Sequence, residues 1–251
     1  MYYRLLVALL SFVPLTTIAQ LSTSQQLENQ VPRENLRKAS EIIDSVYGIT
    51  IYERLNVALD GDSLRNCKGY ACQAWVEDFY EDGTMAHRGY YINGMLKVYK
   101  NFYPNGKLER EFKSIDNYRS LMRKYYADGT LKSEVKYVEG SAISWSDYFP
   151  DGKLEYHEEY HKSFNYHLKR EKYNANGNQE EYFELVDKRK LIFDQKEYHA
   201  SGKVKEAGQV HYDNEMFDFV RIGKWSFYGE DGSLKREEWY NKGTIQKEKD
   251  Y

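Results

Sequence analysis

Tyr103-Pro104-Asn105-Gly106-Lys107-Leu108 decides the reading of this chain, because the chain repeats it. Related versions are Tyr80-Glu81-Asp82-Gly83-Thr84-Met85, Tyr126-Ala127-Asp128-Gly129-Thr130-Leu131 and Phe149-Pro150-Asp151-Gly152-Lys153-Leu154. Gly83, Gly106, Gly129 and Gly152 stand 23 residues apart, and looser copies follow at Gly177, Gly202 and Gly232, at spacings of 25, 25 and 30. A fixed period of this size is the signature of a repeat architecture.

Registering the copies on the glycine shows what each position needs. Four residues before it stands an aromatic: Phe79, Phe102, Tyr125, Tyr148, Tyr173, Tyr198 and Tyr228. One before it stands Asp, Asn or Ser. Two after it stands Met85, Leu108, Leu131, Leu154, Val204 or Leu234, with Gln179 the exception. Pro-Asn-Gly and Pro-Asp-Gly suit a type I turn closed by a left-handed glycine, the three-residue hairpin loop with a bulge. That turn sets the aromatic opposite the apolar residue, as a cross-strand pair worth roughly 0.2–1 kcal/mol. A second turn follows 11 residues after a glycine, at Gly94, Gly140 and Gly243, with Asn117 in that place after Gly106. Each unit is then two short strands, and the chain an antiparallel meander of about fourteen strands or slightly more.

The rest of the chain frames this array. Residues 1–19, with Arg4 before the apolar run Leu5 to Ile18, read as a secretory signal peptide cleaved after Ala19. The run is short and broken by Ser11, Pro14, Thr16 and Thr17, and no later segment has the length of a membrane span. Residues 20–31 read as a flexible linker. Residues 32–73 read as a cap: a helix from Pro32 to Tyr47 with Leu36, Ala39, Ile43 and Val46 on one stripe, then a strand in which Ile49, Ile51, Leu55, Val57 and Leu59 alternate. A cap of this kind covers the first edge of a meander. Residues 74–251 carry the hairpins.

Cys67 and Cys72 are the only cysteines. In an exported chain they are expected to close a disulfide across Lys68-Gly69-Tyr70-Ala71, with two free thiols as the alternative. The formal charge of −3, mixed in sign, argues against nucleic acid as the partner.

Gly223-Lys224-Trp225-Ser226-Phe227-Tyr228-Gly229-Glu230-Asp231-Gly232-Ser233-Leu234-Lys235 and Tyr99-Lys100-Asn101-Phe102-Tyr103-Pro104-Asn105-Gly106-Lys107-Leu108-Glu109 resemble the repeat of the YwqK-type antitoxin family, a variant of the MORN repeat. The resemblance spans roughly Ala74 to Gly243. It implies an elongated antiparallel sheet of hairpins, a role in protein binding and, from the family name, an antitoxin. The Tyr-x-Gly-x-Trp and Gly-x-Gly elements of ordinary MORN repeats are missing, so lipid binding is not carried over.

His157-Glu158-Glu159-Tyr160-His161 matches the HExxH pattern of zinc proteases. That chemistry needs both histidines one helical turn apart, whereas here the motif falls in the strand half of a repeat, where residues four apart are separated by roughly 13 Å. No nucleophile elbow or phosphate loop appears. The expectation is a non-enzymatic chain without metal or cofactor.

The candidate binding feature is a row of rings three residues before the glycine: Tyr80, Tyr103, Tyr126 and Phe149. In the inferred register the aromatic row Phe79 to Tyr228 faces the core and these rings point away from it, and Trp145 and Trp225 share their parity. Such a stripe offers large contact area at little entropic cost; the alternative is that the rings serve the sheet itself, since Tyr and Phe favour strands. The expectation is an all-β, elongated, exported protein-binding or scaffold module of a bacterial envelope. An exported immunity protein or a glycan-binding accessory or hydrolase are the other readings.

Overall fold

The computed structural model describes residues 35–43 and 50–251. The signal peptide and linker expectations lie outside those residues, as does part of the expected helix. The described remainder of that helix is different in kind. Leu36–Arg37 is a short strand, β1, and only Ala39–Ile42, α1, is helical. β1 pairs in parallel with the first repeat strand, Leu36 opposite Phe79 and Arg37 opposite Tyr80, so the free edge of the sheet draws the backbone out of the helix.

The alternating strand expected from Ile49 to Leu59 is also corrected. Glu53–Leu55 and Val57–Leu59 are single 3₁₀ turns. Asn56 decides this locally: its side-chain oxygen accepts the Ala58 N–H at 3.0 Å, a bond that starts a turn and competes with a ladder. The two-residue strands β2 (Asn66–Cys67) and β3 (Tyr70–Ala71) then form a hairpin, with Cys67 and Cys72 disulfide-bonded across it.

From there the chain is one meander. Its first half is β4 (Ala74–Tyr80), β5 (Met85–Ile92), β6 (Met95–Phe102), β7 (Leu108–Ser114), β8 (Arg119–Tyr125), β9 (Leu131–Val138), β10 (Ser141–Tyr148) and β11 (Leu154–Tyr160). The second half is β12 (His167–Tyr173), β13 (Gln179–Asp187), β14 (Ile192–Tyr198), β15 (Val204–Asp213), β16 (Asp218–Tyr228), β17 (Leu234–Asn241) and β18 (Thr244–Asp250). With β1 they make one 16-stranded sheet in which each strand from β4 onward pairs antiparallel with the next. No helix among the described residues is long and apolar enough to cross a membrane.

The glycine turn works as its chemistry requires. Gly106 N–H bonds to the Tyr103 carbonyl at 2.8 Å, Tyr103 N–H to the Lys107 carbonyl at 2.8 Å, and Gly106 takes φ +78. The same two bonds recur at Gly83, Gly129, Gly152, Gly177, Gly202 and Gly232. The Asp or Asn before the glycine adds a bond of its own, as when Asn105 Oδ1 accepts the Lys107 N–H at 3.0 Å. Every expected cross-strand pair is present, from Phe79 opposite Met85 to Tyr228 opposite Leu234.

One consequence of that turn is not legible from the pairing alone. The ladder skips one residue in each hairpin, between Leu108 and Arg110 or between Leu131 and Ser133. Glu109 and Lys132 are therefore bulge residues, which sit beside their neighbours on one face instead of alternating.

The cores lie on the face opposite the aromatic row. One gathers Tyr91, Leu96, Tyr99, Phe112, Met122 and Val135 beneath Ile42, Tyr52 and Cys72 of the cap. The other gathers Phe183, Phe193, Val210, Tyr212 and Trp225. The row Phe79 to Tyr228 is only half-buried, contrary to its expected place at the core. Cross-strand partners share a face, and the cap covers the face of Asp78 and His87, one residue out of phase with that row.

Candidate binding surfaces

The four rings singled out in the repeat serve the sheet. Tyr80 is only 7% exposed, and its hydroxyl donates to the Phe102 carbonyl at 2.6 Å. Tyr103 reaches the Tyr125 carbonyl at 2.7 Å, and Tyr126 the Tyr148 carbonyl at 2.7 Å. Each therefore ties one turn to the next repeat, and Phe149 holds the same place without a hydroxyl. His199 does the same work in a later copy, through its Nε2 and the Tyr228 carbonyl at 3.0 Å. The recurrence of a ring with a polar tip at this position was the available signal.

Neither tryptophan extends an open patch. Trp225 is 0% exposed, seated on Gly208 and covered by the Arg221 guanidinium 3.9 Å from its ring centroid. Trp145 is half-buried against the cap-side core, its indole N–H donating to Asp147 at 2.8 Å.

The cap is held by a buried polar network that sequence reading missed. Asp78 accepts from Arg65 Nη1 at 2.9 Å and Nη2 at 2.5 Å, and from the Tyr52 hydroxyl at 2.5 Å. His87 stacks on Tyr52 with ring centroids 3.6 Å apart, and bonds Asn101 through Nδ1 at 2.7 Å and the Tyr91 hydroxyl through Nε2 at 3.0 Å. Burial pushes its imidazole down to about 4, so the ring is neutral at physiological pH. These groups come from the cap and from strands β4 to β6. No local motif announces them.

Beside the cap, on the same face, lies a cleft of about 360 Å³ lined by Ile43, Tyr103, Glu109, Arg110, Lys124, Lys132, Ser133, Trp145 and Asp147, with Tyr125 at its edge. The bulges bring Glu109 next to Arg110 and Lys132 next to Ser133 on this face. Arg110 pairs with Glu53 of the cap and lies 3.4 Å from Glu109. Burial raises the Glu109 carboxyl to about 7 against the pull of Lys124 and Lys132, and lowers the Lys124 ammonium to about 8.

The opposite face is open: no described helix or second sheet is laid over it. It carries the half-exposed ring row, one ring per repeat, or about 9.5 Å at two strand spacings. Beside the rings runs a charge row in cross-strand register, Glu77, Arg88, Lys100, Glu111, Arg123 and Glu134. Glu77 meets Arg88 at 3.4 Å, and Arg123 meets Glu134 at 2.7 Å. Trp75, 52% exposed under Arg88, ends this face at the first repeat strand, beside a groove of about 370 Å³ that also takes in Val98, Lys100 and Lys113.

The HExxH residues are not gathered around a point. His157 lies on β11, bonded to Ser146 at 2.9 Å, while His161 lies past the strand end, stacked on Tyr166.

Comparison with known proteins bears on the repeat. The MORN repeat variant matches at residues 95–115 and 121–139, which are β6 to β7 and β8 to β9 with their glycine turns. No curated protein matches the chain. Among solved structures, an S. aureus TarM mutant in complex with Fondaparinux, alpha-GlcNAc-glycerol and UDP aligns at 13% identity and TM-score 0.26, covering 35% of this chain and 18% of that one. A second TarM crystal structure aligns at 12% identity and TM-score 0.26, covering 43% and 19%. The chain thus spans less than a fifth of either, and likeness at that score carries no argument. The comparisons identify two adjacent hairpins of this sheet as a MORN repeat variant.

Proposed function

We propose that this chain is an exported, non-enzymatic repeat protein that binds a protein partner along its open face. The observation that carries the reading is the asymmetry of the sheet. One face is closed by the cap and the two cores; the other presents half-exposed rings along the repeats, beside a row of mixed charge from Glu77 to Glu134. Rings supply contact area with few rotors, and the charges supply register. The Cys67–Cys72 bond supports export, since such bonds persist in oxidising compartments.

Chemical cross-linking of the complex in envelope extracts, read by mass spectrometry, tests this. Links should fall on Lys100, Lys113 and Lys136 of the open face, and Arg88→Glu with Lys100→Glu should abolish capture. A partner captured equally by that folded variant refutes the open face as the site. Stoichiometric capture of one toxin would favour the immunity reading over a scaffold with several partners.

A further inference from the structure

The cleft beside the cap holds polar groups that the fold itself does not satisfy. Arg110 is 3% and Ser133 4% exposed, and Arg110 Nε and Ser133 Oγ have no hydrogen-bond partner among the described residues. Leaving such a group unmet costs about 1–3 kcal/mol, so native chains keep few. Lys124, largely buried between them, makes no hydrogen bond or ion pair among the described residues. The guanidinium N–H and the ammonium can only donate, and the hydroxyl can donate as well. Three donors from neighbouring strands thus line one cleft, and none of them has a hydrogen-bond acceptor among the described residues. The wall beyond them is aromatic, from Tyr103 and Trp145. The volume is within the range of small-molecule sites, about 300–1,000 Å³.

We propose that this cleft binds a small organic anion, its carboxylate set against Arg110, Ser133 and Lys124 and its flat ring body against Tyr103 and Trp145. The site is independent of the open face, and neither reading depends on the other.

The charges that face it define a second property. Arg110, Lys124 and Lys132 stand against Glu109, Asp147 and, from the cap, Glu53, with Glu155 next along the bulge row. The basic groups are thus already matched by acidic ones, and an anion adds a charge that needs company. Glu109, its carboxyl raised by burial, is the group placed to take up a proton as the anion enters. Binding then tightens as pH falls, because Glu109 is neutral and Lys124 charged at the acid side.

The test is calorimetric titration of the full chain with benzoate, and separately with inorganic phosphate, at about pH 6 and about pH 8.5. Benzoate is expected to bind more tightly at the lower pH, with proton uptake seen as a dependence of the heat on the buffer. Lys124→Met should weaken it at least about tenfold, the loss of one charge-assisted bond. Glu109→Gln should keep binding and show less proton uptake, what remains being that of Lys124, and it carries the test if Lys124→Met does not fold by circular dichroism. No benzoate binding at millimolar concentration overturns the proposal, as does binding unchanged in Lys124→Met or proton uptake undiminished in Glu109→Gln. Phosphate bound as tightly as benzoate overturns the assignment of a ring-bearing carboxylate.

Discussion

Asp78→Ala is the sharpest perturbation of the way the cap is held. The carboxylate has no exposed surface and receives two bonds from Arg65 and one from Tyr52, with Arg37 at 3.9 Å. Removing it leaves the Arg65 guanidinium, 10% exposed, with the Tyr91 hydroxyl at 3.2 Å as its remaining partner in the network, and orphans the Tyr52 hydroxyl. Breaking one side of a buried ion pair costs about 3–5 kcal/mol, mostly because the survivor stays buried and charged. Removing both charges should cost less: Asp78→Ala with Arg65→Met leaves only the part-exposed Arg37 without its carboxylate, and the cycle should show a coupling of about 1–3 kcal/mol. The assay is urea unfolding followed by tryptophan fluorescence, with hydrogen exchange at residues 50–72 to localise the loss. A cost below about 1 kcal/mol for Asp78→Ala, or a double variant as unstable as the sum of the singles, would refute the claim that this pair anchors the cap.

Three further outcomes follow from the same geometry. His87 titrates near 6.5 when unfolded and near 4 when folded, so the unfolded chain binds more protons between those values and stability falls as pH drops through that window, by about 3 kcal/mol; a pH series of unfolding should show that loss and His87→Gln should lack it. Gly208→Ala places a Cβ 2.3 Å from the Trp225 ring and should cost about 1–3 kcal/mol in thermal unfolding, with Trp225→Leu in the same chain recovering part of it. Tyr103→Phe removes the bond to the Tyr125 carbonyl and should cost about 0.5–1.5 kcal/mol, while Phe149→Tyr, at the equivalent place, should cost nothing or stabilise.

What could be read along the chain was the local physics. A glycine that must take φ near +80 with Asp or Asn before it is a property of six residues, and it determines the turn, the register and hence the antiparallel meander. Recurrence then multiplies one good inference into seven. The stretch from Leu36 to Leu59 had no such recurrence. Its spacing suited helix and strand, and the choice fell to a free sheet edge and to Asn56, which lie outside any periodic pattern.

The faces were the harder matter. Parity along a strand says which residues stand together; it does not say which set is covered. Tyr80, Tyr103 and Tyr126 were visible as a row, but their use depends on a carbonyl 22 residues on. Likewise Glu109, Lys124 and Ser133 meet only because a bulge turns Glu109 to this face and strands β7 to β9 lie side by side. By itself, then, the sequence determined the repeat, its turn and its cross-strand pairs, because those rest on contacts within one hairpin. Only the tertiary structure decided which face the cap closes, that the aromatic row is the open one, and that the buried Arg110 Nε and Ser133 Oγ find no hydrogen-bond partner among the described residues. Those depend on residues far apart in the chain competing for the same surface, which no local pattern encodes.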